Sequence, residues 1–281
     1  MTYNASTTIT TIISVNTMTK QNIDRFGEKA LSQGFVTQDQ LGEALTIQKS
    51  LKSNGKDHVK LGMLMIDLKL INLEQMGDIL GNKQLTKDFF TEDAARLTTQ
   101  INASLPNNTQ RILFTGANNK NGTSKVSNQI ALGLSMIAHH NVLLIDANFH
   151  SPIQHEKFNI DRKLGLAELL ESNLDIEQAI HDTGFSNLSL MPAGNNKLSP
   201  INLFTSEPFN VLMDKLSQKY QRIIFDAPPI LSHPETLILA GNCDLVVNVA
   251  KENVTTQTQL KDIKKTLQGL KTNLLGTILT T

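Results

Sequence analysis

Residues 111–131 read RILFTGANNKNGTSKVSNQIA, and the order of residue types in this stretch decides the fold. Ile112, Leu113 and Phe114 form an apolar strand, and a loop rich in Gly, Asn, Thr and Ser follows. Val126, Ile130, Ala131, Leu134 and Ile137 then recur at the spacing of one helix face. Strand, loop, helix is the setting of a phosphate-binding loop. In such a loop successive backbone N–H groups curl around an anion, and the following helix points its positive dipole end at the same place. The G-x-x-x-x-G-K-[ST] form of the loop has Lys directly after its second glycine. Here Gly122 is followed by Thr123, and the lysines of the stretch are Lys120 and Lys125.

Downstream, short apolar runs alternate with helical stretches. NVLLIDAN (141–148), NLSLMPAG (187–194), RIIFDAPP (222–229), DLVVNVAK (244–251) and NLLGTILT (273–280) read as strands buried on both faces. Helical patterns fall at 164–181, 206–219, 233–241 and 255–270. This alternation predicts an α/β fold, a doubly wound, mostly parallel sheet whose ligand site lies at the carboxyl ends of its strands. Two acidic residues fall at those ends: Asp146 closes VLLID, and Asp226 closes IIFD ahead of Ala227-Pro228-Pro229. Phosphoryl-transfer sites of this kind use one carboxylate to hold the water shell of Mg2+ and another to orient the attacking group, while a helix-start hydroxyl, here Ser124, ligates the metal. A strand-end Asp can also do no more than cap the next helix. Two of them downstream of a Gly-rich loop favour the site.

Upstream, residues 1–19 are polar and rich in Thr, Ser and Asn, and read as a flexible tail. Residues 20–85 contain an internal repeat: RFGEKALSQGFVTQDQLGEAL lies over KLGMLMIDLKLINLEQMGDIL, pairing Gly27 with Gly62, Gln40 with Gln75, Leu41 with Met76 and Leu45 with Leu80. Each unit reads as helix, turn, helix, with Thr37 and Asn72 at the N-caps of the second helices and Leu31 and Leu68 facing inward. Two stacked units predict a small all-α repeat domain ahead of the sheet. Residues 86–108 read as a linker with a helix from Glu92 to Ser104, and 109–281 as the sheet domain.

Composition narrows the function classes. The chain has 281 residues, 26 basic and 26 acidic, so it offers no basic field for nucleic acid and no polybasic segment for anionic lipid. Its single cysteine, Cys243, lies in an apolar run and reads as a small buried hydrophobe in a reducing compartment. No apolar run has the length of a membrane span, and the N-terminus lacks the pattern of a signal peptide, which predicts a cytoplasmic protein without direct membrane insertion. The seven histidines show no metal-ligand spacing along the chain, so a metal site of the zinc kind is not expected.

The helical repeat resembles the N-terminal module of type II secretion and pilus assembly ATPases, whose paired R-L-G…G-[LVI]-[LVI]…L…L…Q units bind cyclic di-GMP in some members. Arg25, Gly27, Gly34, Leu41, Leu45 and Gln48 fit the first unit; the second has Lys60 for the arginine, Lys69 for the glycine and Lys83 for the glutamine. The resemblance implies cyclic di-GMP contacts at Arg25, Gly27, Gln48, Lys60 and Gly62; the alternative is a module used only for docking to a partner.

From about residue 92 to 281 the blocks RILFTGANNKNGTSKVSNQIA, NVLLIDANFHSPIQHEKF, GLAELLES, NLSLMPAG, YQRIIFDAPPIL and LLGTILTT resemble the bacterial tyrosine kinases of capsule and exopolysaccharide synthesis, within the MinD/ParA group of ATPases. With the repeat, the whole chain is similar to the kinases associated with chain-length-determinant proteins. The resemblance implies ATP or ADP with Mg2+ as cofactors, catalytic Asp146 and Asp226, and a metal site formed by Ser124, Asp146 and Asp226. It implies nucleotide contacts from Gly116, Lys120, Asn121, Gly122, Thr123, Ser124, Lys125 and Thr280. It also implies a partner, the membrane polysaccharide co-polymerase or chain-length determinant, which would recruit the protein to the inner membrane.

The chain departs from that family's pattern at chemically central places. Thr123 stands at the catalytic Lys, Asn119 and Lys120 replace Pro and Gly, Asn148 replaces the second carboxylate of the second acidic motif, and His150-Ser151 replaces a basic pair. Aligned on Glu92, the interface helix E-x-x-R-x-L-R has Ala95 and Thr98 where arginines belong, which leaves the oligomeric state open. With Tyr3 and Tyr220 its only tyrosines, autophosphorylation on a tyrosine-rich tail is not expected. The expected function is a regulator of exopolysaccharide export with an eroded phosphoryl-transfer apparatus. Two others stay open: an active tyrosine kinase in which Lys120 or Lys125 reaches the phosphates, and a MinD-like positioning ATPase.

Overall fold

The computed structural model describes residues 26–53, 60–81, 91–136, 140–172, 174–195, 197–270 and 272–281. The polar segment 1–19, Arg25, Lys83, Ile137 and the linker residues 86–90 lie outside the described residues.

Seven strands form one sheet: β1 (Arg111–Gly116), β2 (Val142–Asp146), β3 (His181–Asp182), β4 (Leu188–Met191), β5 (Arg222–Asp226), β6 (Leu245–Lys251) and β7 (Asn273–Thr280), in the order β3-β4-β2-β5-β1-β6-β7. All pairings are parallel except β3 with β4. The two-residue β3 is too short for any periodicity to announce it. The expected helix over 164–181 is two helices, Leu166–Glu171 and Ile176–Ala179, because Ser172 is extended (φ −132, ψ 160) and ends the first. Helices Gln154–Lys157 and Pro200–Phe204 were not anticipated.

The strands are apolar on both sides because two cores share the sheet. Ile112, Phe114, Val142, Leu144 and Ile224 point into one core, with helix Thr123–Met136 and the N-terminal helices. Leu113, Leu143, Ile145, Ile223 and Phe225 point into the other, with helices Glu207–Lys219 and Gln257–Gly269. Helix Glu92–Ser104 lies against Thr123–Met136, and the contact is close: a Cβ on Gly133 would stand 2.2 Å from Thr98 Oγ1. Thr98 is 1% exposed, so the position where the resembling helix has an arginine is here a packed interface between two helices of the same chain.

The described part of residues 20–85 contains helices 26–32, Gln38–Ser53, Leu61–Asp67 and Leu73–Leu80. Thr37 Oγ1 accepts from Gln40 N–H and Asn72 Oδ1 from Gln75 N–H, with each glutamine reaching back to its cap. The turns also repeat. Gly34 (φ +69) and Lys69 (φ +57) both adopt the left-handed conformation, and Phe35 N–H to Ala30 C=O is matched by Leu70 N–H to Met65 C=O. The inward pair of the first helices is Ala30 and Met65, both fully buried; Leu31 is only partly buried, and Leu68 is 36% exposed because the helix ends at Asp67 and leaves Leu68 as its C-cap. Ala30, Met65 and Met76 share one core with Phe158, Phe185 and Leu188 beside the β3–β4 edge. Lys60 fastens that contact, its N–H donating to Ser186 Oγ at 3.0 Å and its ammonium pairing with Asp182. No helix of the described residues is long and apolar enough to cross a membrane.

Candidate functional site

The strand order brings the ends of β1, β5 and β2 side by side, so the Gly-rich loop, Asp226 and Asp146 converge although about 80 residues separate the last two. Asp146 and Asp226 are register partners on adjacent strands. The loop reaches helix Thr123–Met136 through Gly122, whose φ of +75 suits glycine. Lys125 and Val126 donate to the Gly122 carbonyl, so the amides of Thr123 and Ser124 precede the first internal bond of the helix and face the region a phosphate would take.

The side chain of Asn121 is turned inward, fully buried, with Nδ2 donating to Val249 C=O (2.7 Å) and Oδ1 accepting from Thr255 (3.3 Å). Gly116 makes room for it, since a Cβ there would lie 2.7 Å from Asn121 Nδ2. Thr280, expected among the nucleotide contacts, lies against the loop, its hydroxyl 3.0 Å from Asn121 C=O and 3.3 Å from Ala250 C=O. Thr123 and Ser124 are half-buried, whereas Lys120 and Lys125 are exposed.

Both carboxylates are buried, Asp146 fully and Asp226 to 1% exposure. Asp146 Oδ2 accepts from Ile153 and Gln154 N–H at 3.0 Å each, and Oδ1 from Asn148 N–H at 3.2 Å. Burial nevertheless pushes its carboxyl up to about 8, with the charge of Asp226 adding to the effect. Burial likewise raises Asp226, to about 6, against the opposing hydrogen bonds of Gln154, Ser124 and Ser127. Gln154 is the residue that sequence reasoning missed. Fully buried, it donates from Nε2 to Asp226 Oδ2 (2.7 Å), Ser124 C=O (3.0 Å) and Ser127 Oγ (3.4 Å), tying the loop after β2 to the loop after β1. Asn148, at the place of a second carboxylate, accepts from Ser151 N–H (3.1 Å) and shapes its own loop.

The residues fit a divalent cation. Asp226 Oδ1 and Gln154 Oε1 are buried without a hydrogen-bond partner, and two mutually repelling carboxylates with a helix-start hydroxyl form a hard-oxygen donor set.

The residues expected to meet cyclic di-GMP have the following surroundings. Arg25 is outside the described residues. A Cβ on Gly27 would meet Leu41 at 3.1 Å and one on Gly62 the Phe26 ring at 2.8 Å, so both glycines serve close helix packing. Gln48 is buried, and Lys60 pairs with Asp182.

A second group appears beside the carboxylates. His150, after β2, has Nε2 2.5 Å from Glu235 Oε1, and its ring centroid is 4.5 Å from that of His233. No spacing along the chain could announce this group, because two different strand ends deliver its members.

Comparison with known proteins agrees with this geometry. The profile of the family described as AAA domain matches residues 111–278. The tyrosine-protein kinase ptk of Acinetobacter johnsonii is 30% identical over 157 residues, 54% of this chain but only 21% of that protein, so the chain spans a minor part of that relative. The tyrosine-protein kinase YwqD of Bacillus subtilis is 28% identical over 194 residues, 69% of this chain and 81% of that one. Among solved structures, the kinase domain of VpsO superposes with a TM-score of 0.61 at 27% identity, covering 70% of this chain and 94% of that one. The septum site-determining protein MinD of Pyrococcus horikoshii, solved with Mg-ADP, shares the fold at TM-score 0.53 and 19% identity, covering 61% of this chain and 70% of that one.

Proposed function

The chain belongs to the AAA-domain family and is homologous to bacterial tyrosine kinases; from that premise we propose that it regulates exopolysaccharide or capsule synthesis through a kinase-like domain with weak or no ATP turnover. One observation carries the proposal. The residue after Gly122 at the start of the helix is Thr123, half-buried and neutral, while the two lysines of the loop are exposed. A lysine in that place would supply positive charge to the β and γ phosphates as they transfer, and losing one such preorganised donor costs about 3–4 kcal/mol, or several hundred-fold in rate.

What remains can still bind. The Thr123 and Ser124 amides at the helix start would cradle phosphate. Ser124, Asp146 and Asp226 would hold Mg2+, which would supply positive charge beside the buried carboxylate pair. Asn148 and Gln154 are neutral amides and supply no base. The competing reading, an active kinase using Lys120 or Lys125, needs one of those exposed side chains to fold back over the loop.

The partner follows from the same reading. A regulator of export acts on machinery in the membrane, no helix of the described residues is long and apolar enough to cross it, and the polysaccharide co-polymerase is the partner proposed. The helical repeat is read as a docking element, because Gly27 and Gly62 lie against Leu41 and Phe26 of neighbouring helices and Lys60 pairs with Asp182.

Titrating ATP with Mg2+ into the purified chain tests the proposal. Dissociation constants of high-micromolar order or weaker and turnover near background are expected. Robust hydrolysis that vanishes in Asp226→Asn would overturn the reading.

A further inference from the structure

Three metal-ligating side chains outside the carboxylate pair meet above the carboxyl edge of the sheet. One ring nitrogen each from His150 and His233 and a carboxylate oxygen of Glu235 all lie within 4.8 Å of one another. Their settings differ in a useful way. Glu235, in the first turn of helix Pro234–Gly241, is 4% exposed, so its carboxylate is withdrawn from bulk water and has His150 Nε2 as its partner. His150 is half-exposed (side chain 48%) and open to solvent. The Nδ1 of His233 lies 3.1 Å from Pro229 C=O, a bond that places the ring proton on Nδ1 and leaves the Nε2 lone pair for a ligand. Imidazole ligands are commonly oriented by such a bond to a backbone carbonyl.

We propose that His150, His233 and Glu235 form a binding site for one divalent transition-metal ion of the zinc type, with a fourth position open to solvent. Two imidazoles and one carboxylate suit such an ion and do not suit Mg2+, which demands oxygen. Tetrahedral bonds of about 2.0–2.1 Å set ligand atoms about 3.3 Å apart. The His150–Glu235 contact at 2.5 Å therefore opens slightly as the ion enters between them, while the widest separation, up to 4.8 Å, closes. The half-exposed His150 side chain supplies that movement.

The site would join the loop after Asp146 to the loop after Asp226. Pro228, whose carbonyl accepts from Thr115 and Thr236, fixes the second loop against β1. An ion here acts as a clip that holds the carboxylate-bearing loops in register, and its placement is independent of whether the carboxylates themselves perform chemistry.

The test is zinc binding by the full chain after removal of metals, measured in competition with a chromophoric chelator at neutral pH. One equivalent is expected with a dissociation constant of about 1 μM or tighter, unchanged by millimolar Mg2+ and by Asp226→Asn. His150→Ala and Glu235→Gln should each weaken binding by about tenfold or more, with His181→Ala as an unaffected control. Since His150 is half-exposed, its substitution leaves folding intact, and circular dichroism of each variant verifies this. The proposal is overturned by absence of binding at about 50 μM zinc, by equal binding in His150→Ala and the parent chain, or by competition with Mg2+.

Discussion

Asp146 and Asp226 stand opposite each other at the ends of adjacent parallel strands, both buried, and each raises the cost of ionising the pair. Folded-state affinities for protons lie above the ordinary carboxyl value of 3.8 for both, so the native state binds more protons than the unfolded one between about pH 4 and pH 8. Stability must therefore fall as pH rises through that window, the reverse of a salt-bridged carboxylate. We expect the melting temperature of the metal-free protein to drop between about pH 5 and pH 8.5, and Asp146→Asn to recover about 3–6 °C of that drop at the alkaline end. Millimolar Mg2+ should stabilise at pH 8 and do little at pH 5. Parallel melting curves for parent and variant at every pH would remove the buried pair as the cause.

Gln154 is the neutral donor wedged beside this pair, and its removal separates packing from charge. Gln154→Leu keeps the volume and deletes the hydrogen bonds to Asp226, Ser124 and Ser127. The expected loss is about 1–3 kcal/mol, because the buried acceptors are stranded. Losing a donor that favours the ionised form also pushes Asp226 further up, so the loss should grow with pH. Urea denaturation at two pH values checks both statements; a pH-independent loss would assign Gln154 a packing role alone.

Restoring the missing charge probes the cradle. Thr123→Lys places an ammonium at the start of the helix, beside amides that already face outward. ATP affinity measured by calorimetry should rise by about tenfold, equivalent to about 1.4 kcal/mol, with Mg2+ present. An unchanged affinity would mean that the inward-turned Asn121 holds the loop in a shape that phosphate does not enter.

How much of this was legible in the sequence depended on whether a feature is local. The strand ending at Asp226 was legible because an apolar run stops at a carboxylate, and the loop at Gly122 because the shift from apolar strand to Gly-rich turn to amphipathic helix is written in consecutive residues. The repeat was legible because Thr37 and Asn72 are caps set by their immediate neighbours. Leu68 was misplaced because the helix end that exposes it is decided by the left-handed turn at Lys69. Gln154 and the group of His150, His233 and Glu235 were not legible at all, since their neighbours come from other strands and only the sheet order assembles them. Thr280 was assigned to nucleotide by resemblance; that its hydroxyl donates to the Asn121 carbonyl was not legible, because β7 and the loop meet only in the fold.

The Thr98–Gly133 contact predicts what happens when the resembling family's interface residue is restored. Thr98→Arg must push a long charged side chain into a gap already closed to 2.2 Å for a single added carbon on the other helix. Overpacking and buried charge together should destabilise by about 3 kcal/mol or more. Ala95→Arg, at an exposed position of the same helix, should change stability by no more than about 0.5 kcal/mol. Equal effects of the two substitutions in thermal melts would show that the helix is not packed as described.

The two turns of the helical repeat differ by one residue type in the same backbone state, and that difference has a measurable consequence. Gly34 and Lys69 both have positive φ, yet only glycine adopts it without a Cβ clash, so the second turn stores strain of about 1 kcal/mol. Glycine also loses more conformational freedom on folding, which offsets part of the gain from Lys69→Gly. A net stabilisation of about 0.5 kcal/mol is expected for Lys69→Gly, and a loss of about 1 kcal/mol for Gly34→Lys, where nothing crowds the added side chain and only the backbone objects. The opposite signs matter more than either value, because a surface-charge effect would move the two variants by mirror amounts with salt, whereas backbone strain ignores salt. Guanidinium and urea denaturation run side by side decide it: urea keeps ionic strength low and guanidinium raises it, and a sign that reverses between them would refute strain at Lys69.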